Sequence, residues 1–119
     1  MYEIKVIDDF SGAHNLREYK GKCEALHGHN WKVEVSLSGD TLNKHGMIMD
    51  FTDLKESLKK VLSSLDHKYL NDLAFFKQSN PTSENIARFI YGELAGNVPS
   101  KGMKVTVWET ESSSATFEE

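Results

Sequence analysis

The sequence predicts an α+β fold in which two strands, two helices and two further strands follow one another, with both helices on one face of an antiparallel sheet. Two observations lead to this prediction: apolar residues alternate with polar ones in some stretches and recur at helical spacing in others. The 119 residues are 39% hydrophobic and 27% charged, as in an ordinary globular domain, and no linker or repeat divides them. We therefore expect one domain over residues 1–119.

The first two strands are predicted from alternation near the N-terminus. Tyr2, Ile4 and Val6 alternate with charged residues, and apolar residues from Trp31 to Leu37 alternate with polar ones. Residues 11–26 contain glycines and scattered charges without a sustained period. We expect a loop there, joining two antiparallel strands.

Two helices are predicted in the middle of the chain. After a short extended segment expected over residues 46–51, a helix capped near Asp50 carries apolar residues from Leu54 to Leu65 on one face. A second helix begins after Thr82 and ends near Gly96, for which we predict a left-handed conformation. Each helix has one apolar stripe that can pack on the sheet.

Alternation returns over residues 103–109, and residues 115–118 can pair back as a last strand. Glu109 continues the parity of the apolar residues in this strand, so it points inward if the strand is regular. A buried carboxylate needs donors, which a ligand with a guanidine-like edge would supply as two parallel N–H groups. Alternatively, the strand ends at Trp108 and Glu109 is solvated.

The charge and the apolar runs exclude several classes of function. A net charge of -4 and a pI near 5.7 argue against a nucleic-acid-binding surface and against attraction to an anionic membrane. No apolar run approaches the roughly 20 residues of a spanning helix, and residues 1–10 do not form a signal sequence. We expect a cytoplasmic protein, in which the single cysteine forms no internal disulfide.

Three histidines predict a zinc site. His27 and His29 project from the same face of an extended chain, and pairing of the first two strands brings His14 to the same point. Three imidazoles leave the fourth tetrahedral position open, as in catalytic zinc sites. Alternatively, Cys23 is a fourth ligand that closes a structural site, or the histidines cluster by chance.

Cys23 is the candidate base or nucleophile. Lysines upstream, and zinc if it is near, would lower the pKa of its thiol. In the Asp66–His67 pair, the carboxylate can orient the imidazole for proton exchange with a thiol. The equal alternative is that His67 only interacts with the dipole at a helix C-terminus.

Six segments together give the chain a family resemblance. They are residues 11–14 (SGAH), 23–31 (CEALHGHNW), 46–51 (GMIMDF), 65–71 (LDHKYLN), 81–85 (PTSEN) and 109–110 (ET). The chain resembles the 6-pyruvoyl-tetrahydropterin synthase family nearly end to end. The three residues between Cys23 and His27 resemble the 6-carboxy-5,6,7,8-tetrahydropterin synthase branch. Gly12 departs from the family, which more often has Ala, and we expect only a looser turn before His14.

The resemblance implies a tunnelling fold (T-fold), a ββααββ subunit that forms trimers stacked into a homohexamer with active sites at subunit interfaces. It also implies roles for the candidate residues. By the resemblance, His14, His27 and His29 hold zinc. Cys23 accepts a proton with help from Asp66 and His67 of a neighbouring subunit. Glu109 anchors the pterin, and Thr82, Ser83 and Glu84 contact it, although these three equally suit a helix N-terminus. Arg17, Lys20 and Lys22 are local candidates for the triphosphate, with solvated loop charges as the alternative.

The implied reaction is a zinc-dependent carbon–carbon lyase step of queuosine biosynthesis. It converts 7,8-dihydroneopterin triphosphate to 6-carboxy-tetrahydropterin, acetaldehyde and triphosphate. Two alternatives stay open at this point: 6-pyruvoyl-tetrahydropterin synthase activity, which stops before side-chain cleavage, and a noncatalytic zinc-stabilised pterin-binding module.

Overall fold

A computed structural model describes residues 1–20 and 24–119 and confirms the α+β fold. The five strands and two helices are β1 (Tyr2–His14), β2 (His27–Gly39), α1 (Phe51–Leu62), β3 (Lys68–Tyr69), α2 (Ser83–Leu94), β4 (Met103–Thr110) and β5 (Ser113–Glu118). The sheet order is β3-β1-β2-β4-β5, with β3 parallel to β1 and every other pair antiparallel. The two-residue β3 is the one strand that the ββααββ prediction lacks.

β1 is longer than predicted, and the expected loop over residues 11–14 is wrong. The strand pairs with β2 in unbroken register from Tyr2 opposite Gly39 to His14 opposite His27. Its inward parity continues through Phe10, Gly12 and His14, but a glycine and a histidine do not register as apolar alternation. Gly12 therefore lies within a strand, and the expected looser turn before His14 is also wrong.

Both helices begin where their caps predict. The Asp50 carboxylate accepts a hydrogen bond from the Thr52 amide, and the Thr82 hydroxyl accepts one from the Asn85 amide. The extended segment expected before α1 is wrong, because residues 44–49 form turns and bends instead of a strand. Gly96 is not left-handed: α2 ends at Ala95 in a right-handed conformation, and the positive-φ glycines among the described residues are Gly46 and Gly102.

The core lies between the sheet and the two helices. α1 packs on β1, and α2 packs on β4 and β5. Trp31 is fully buried at the centre of the sheet and stacks on Phe10 with ring centroids 5.9 Å apart. Because Trp31 shares its face with His27 and His29, the core ends directly at the histidines. In the described part of the chain, neither helix is long and apolar enough to cross a membrane.

Candidate functional site

The three histidines meet where the β1–β2 ladder ends. His14 pairs with His27 across the ladder, and His29 lies two residues along β2 on the same face. The ring centroids are 4.6 Å apart for His14 and His27, 5.3 Å for His14 and His29, and 4.9 Å for His27 and His29. The edge of Trp31 packs under both His14 and His29, at 4.9 and 5.1 Å. This support restricts the orientations of the two rings.

Backbone carbonyls fix the tautomers of two of the rings. His14 Nδ1 lies 2.7 Å from the Pro81 carbonyl oxygen, and His27 Nδ1 lies 2.9 Å from that of Ala25. A carbonyl only accepts, so each Nδ1 carries the proton and each neutral ring presents a lone pair at Nε2. The two Nε2 atoms face each other 3.0 Å apart. Two lone pairs at this distance repel unless a cation lies between them.

A divalent metal ion fits this arrangement. Two ligands at about 2.0–2.1 Å from a tetrahedral ion lie roughly 3.3–3.4 Å apart, close to the observed separation. Metal-bound histidines usually donate their other N–H to a carbonyl or carboxylate, as His14 and His27 do here. His14, His27, His29 and Glu109 place one ligand atom each within 4.8 Å of one another, so these four residues could hold a metal ion.

Glu109 joins the histidines from β4. The β4–β5 pairing shifts register between Trp108 and Thr110, which leaves Glu109 as the extra residue of a bulge. Its Oε1 lies 3.3 Å from His14 Nε2 and 3.0 Å from His29 Nε2. Glu109 thus keeps the inward parity expected from the sequence, and its carboxylate is about a third exposed.

The surroundings of His29 disfavour its charged form. Burial lowers the pKa of His29 below its ordinary value, Glu109 opposes this effect, and the two neighbouring histidines reinforce it. His29 Nε2 is buried and, although Glu109 Oε1 lies 3.0 Å away, their geometry does not form a hydrogen bond. A buried nitrogen without a partner is costly in a protein interior. A metal ion would satisfy it.

A cavity of about 270 Å³ opens beside His14 and Glu109. Its other walls include Thr82, Ser83 and Glu84 at the start of α2. The structure therefore brings this predicted contact segment into the same cavity as His14 and Glu109. The Thr82 hydroxyl also caps α2, so its structural role is satisfied at the same time.

Asp66 and His67 follow α1 and contact the backbone of β1 at Ser11. Asp66 Oδ1 accepts a hydrogen bond from the Ser11 amide at 2.9 Å, and Asp66 Oδ2 lies 3.0 Å from His67 Nδ1. The bond from Ser11, helped by His67, lowers the pKa of the Asp66 carboxyl. His67 has a φ of 57°, an uncommon backbone conformation for a residue other than glycine. Its backbone N–H donates a hydrogen bond to the Ser11 carbonyl at 2.6 Å.

The exposed His67 ring lines a second cavity, of about 520 Å³, whose walls come from β1, β2 and β3 and include His29. Among the described residues, neither Asp66 nor His67 makes an ion pair or a side-chain hydrogen bond with the three histidines or with Glu109. Cys23 and Lys22 lie outside the described residues.

The remaining basic candidates have neighbours of their own. One Arg17 guanidinium nitrogen donates to the carbonyls of Phe76 and Ser79, the latter at 2.9 Å. Arg17 thereby connects the segment after β1 to the loop before α2. The Lys20 ammonium lies 5.3 Å from the centroid of the Tyr19 ring.

Sequence reasoning missed the carbonyl that orients His14. Asn80 holds the segment before α2 through hydrogen bonds with the Arg17 backbone, and the next residue, Pro81, offers its carbonyl to the imidazole. A backbone carbonyl gives no signal in a sequence. Only the folded chain reveals that it lies against the ring.

Comparison with known proteins places the chain in a family. A family model described as 6-pyruvoyl tetrahydropterin synthase matches residues 3–119. The chain belongs to this family. The resemblance found in the sequence is therefore confirmed.

Relatives from within the 6-pyruvoyl tetrahydropterin synthase family carry two names. Over 102 residues, 86% of this chain and 80% of the relative, the sequence is 43% identical to a putative 6-carboxy-5,6,7,8-tetrahydropterin synthase of Archaeoglobus fulgidus. It is 39% identical over 112 residues, 92% and 82% of the two chains, to the 6-pyruvoyl tetrahydrobiopterin synthase of Dictyostelium discoideum. The structure of Caenorhabditis elegans 6-pyruvoyl tetrahydropterin synthase matches with a TM-score of 0.86 at 29% identity, and the match covers 99% of this chain and 95% of that one. The fold is thus the T-fold of this family, and the relatives' names differ in their product.

Proposed function

We propose that the protein is a zinc-dependent 6-carboxy-5,6,7,8-tetrahydropterin synthase. Its substrates would be 7,8-dihydroneopterin triphosphate and one molecule of water, and its products 6-carboxy-tetrahydropterin, acetaldehyde and triphosphate, in queuosine biosynthesis. The observation that carries the proposal is the pair of carbonyl-oriented imidazoles, whose lone pairs converge with His29 and Glu109 beside a cavity. The spacing of Cys23 from His27 and the relative from Archaeoglobus fulgidus support the carboxy branch.

The chain's own residues would bind the substrate and move its protons. Glu109 would hold the pterin ring through paired N–H groups, and the start of α2 would contact the ring from the facing wall of the cavity. Zinc bound by His14, His27 and His29 would supply a Lewis acid that polarises substrate oxygens. Cys23, four residues before His27, would remove the proton from the neighbouring carbon.

Asp66 and His67 would take that proton from Cys23 of another subunit. The support is that, among the described residues, neither side chain makes an ion pair or a hydrogen bond with the histidines or Glu109 of its own chain. We propose a homohexamer, a dimer of trimers, each subunit a single domain over residues 1–119, and the cytoplasm as its compartment. Pairing between subunits would also cover the sheet edges at β3 and β5.

Mixing subunits tests the shared site. Cys23→Ala and His67→Ala proteins should each be inactive, but hexamers assembled from an equal mixture should regain roughly a quarter of the activity, because about one interface in four pairs two intact residues. Absence of any recovery in mixed hexamers would place both residues in one subunit.

The reaction is tested with zinc-loaded protein and 7,8-dihydroneopterin triphosphate. Acetaldehyde and 6-carboxy-tetrahydropterin should form together, and neither should form with Cys23→Ala, which should keep its zinc. A product with an intact side chain would favour 6-pyruvoyl tetrahydropterin synthase, the name of the Dictyostelium discoideum relative. Loss of both zinc and fold in Cys23→Ala would instead favour the binding module in which this thiol is a metal ligand.

A further inference from the structure

We propose that Glu109 is a fourth ligand of the metal ion in the substrate-free protein and moves onto the pterin when substrate binds. The ligand role follows from the histidine cluster, and the exchange rests on the proposed function. Glu109 Oε1 lies 3.3 and 3.0 Å from the Nε2 atoms of His14 and His29, so the carboxylate occupies the side of the cluster that three imidazoles leave open.

The charges favour a cation at this point. The Nδ1–H of His14 points away, toward the Pro81 carbonyl, so the Glu109 carboxylate faces the Nε2 lone pair of His14 at 3.3 Å. The Glu109 carboxylate contacts the Nε2 atoms of His14 and His29, at 3.3 and 3.0 Å. An anion directed at lone pairs is repelled, whereas a divalent ion between them would bind all four groups.

The backbone aims Glu109 at the histidines. Regular pairing of β4 with β5 stops at Trp108 and resumes at Thr110, so Glu109 is the bulged residue. Bulges re-aim side chains and are frequent beside active sites. The bulge that interrupts the β4–β5 ladder therefore places the Glu109 carboxylate at the metal position.

Movement of the Glu109 carboxylate from the metal to the pterin would open the fourth metal position only when substrate binds. Glu109 Oε1 is the oxygen that approaches the rings, which leaves the second oxygen free for an incoming donor. Two parallel N–H groups from a pterin would bind both oxygens in a charge-assisted pair and withdraw the carboxylate. Glu109 would thus keep water off the fourth position until the substrate's ring is in place.

Glu109→Gln tests the ligand role, with Glu24→Gln as its matched control. Glu24 is equally exposed and carries the same charge, but its Oε1 lies 3.8 Å from His27 Nδ1, the nitrogen that faces away from the cluster. We expect Glu109→Gln to weaken Co²⁺ binding at least about tenfold in a chelator competition and to shift the visible Co²⁺ absorption. Glu24→Gln should change neither. Equal affinity and an unchanged spectrum in Glu109→Gln would overturn the ligand role.

The exchange is tested in the unmutated chain. 7,8-Dihydroneopterin, which lacks the triphosphate leaving group, should shift the Co²⁺ absorption of the wild-type protein as it binds. Pterin binding without any spectral shift would refute the exchange. The metal results are independent of turnover: failure to convert the triphosphate substrate would remove the proposed function and leave the ligand assignment standing.

Discussion

Trp31 connects the hydrophobic core to the histidine cluster, and replacing it with Phe tests that connection. The indole is fully buried, stacks on Phe10 and packs edge-on against His14 and His29. Its Nε1–H donates to the Gly12 carbonyl at 3.1 Å, inside β1. The substitution keeps an aromatic ring but removes this donor and part of the ring volume.

The expected loss of unfolding free energy has two parts. Leaving the buried Gly12 carbonyl without its donor costs about 1–3 kcal/mol. A void of roughly 40 Å³, at about 24 cal/mol per Å³, adds about 1 kcal/mol. Trp31→Phe should therefore lower the free energy of unfolding by roughly 2–4 kcal/mol.

Trp108→Phe is the internal control. Trp108 is half-buried on β4, and its Nε1 has no hydrogen-bond partner in the described part of the chain, so its removal breaks no such bond there. Its ring stays available to the Lys32 ammonium, which lies 4.8 Å from the ring centroid. We expect a cost below about 1 kcal/mol.

The assay is denaturant unfolding of chelator-treated protein, followed by far-ultraviolet circular dichroism at one protein concentration. Metal and subunit association would otherwise add to the measured stability. Equal destabilisation by the two substitutions would refute the reasoning, because it would mean that neither the hydrogen bond to Gly12 nor burial decides the cost.

Three further predictions concern the surrounding backbone. The stability difference between wild type and Asp66→Asn should be present above the ordinary carboxyl pKa of 3.8. It should disappear as the pH falls through the lowered pKa of Asp66 in the folded protein, because protonation weakens the hydrogen bond from Ser11. A difference that does not vary with pH would contradict this. Gly102→Ala should cost about 2–4 kcal/mol in denaturant unfolding, because Gly102 has a φ of +77° and an added Cβ would lie 2.6 Å from the Ser38 carbonyl oxygen; a neutral effect would mean that this turn shifts freely. Asn71→Ala should cost about 2–4 kcal/mol, because the buried amide makes two hydrogen bonds to the backbone of the residue that follows β1, and a loss below 1 kcal/mol would show that water replaces them.

Local sequence signals correctly predicted the helix starts and buried strand faces, which depend on interactions between residues close together in the chain. Asp50 and Thr82 cap the two helices because a side-chain oxygen next to free amides has the same effect in any fold. The period-two alternation of β2 and β4 places their apolar residues on one buried face. The same alternation placed His27 beside His29.

Signals that depend on non-local pairing were misread. Residues 11–14 belong to β1 because β2 supplies their hydrogen bonds, although their composition favours a loop. β3 exists because β1 has a free edge for Lys68 and Tyr69, which no local pattern announces. One local signal was also misread: Gly96 was predicted to be left-handed, but α2 ends without that conformation.

The sequence by itself therefore determined the family, the α+β class and the identity of the candidate metal ligands, since these follow from residue types and local spacing. The tertiary structure decided how those residues face one another. It set the Pro81 carbonyl against His14, directed Glu109 into the cluster through a bulge, and joined Asp66 and His67 to the backbone of Ser11. His14 and Pro81 are 67 residues apart and Ser11 and Asp66 are 55 residues apart, and the energy of such contacts has no signature in either segment alone.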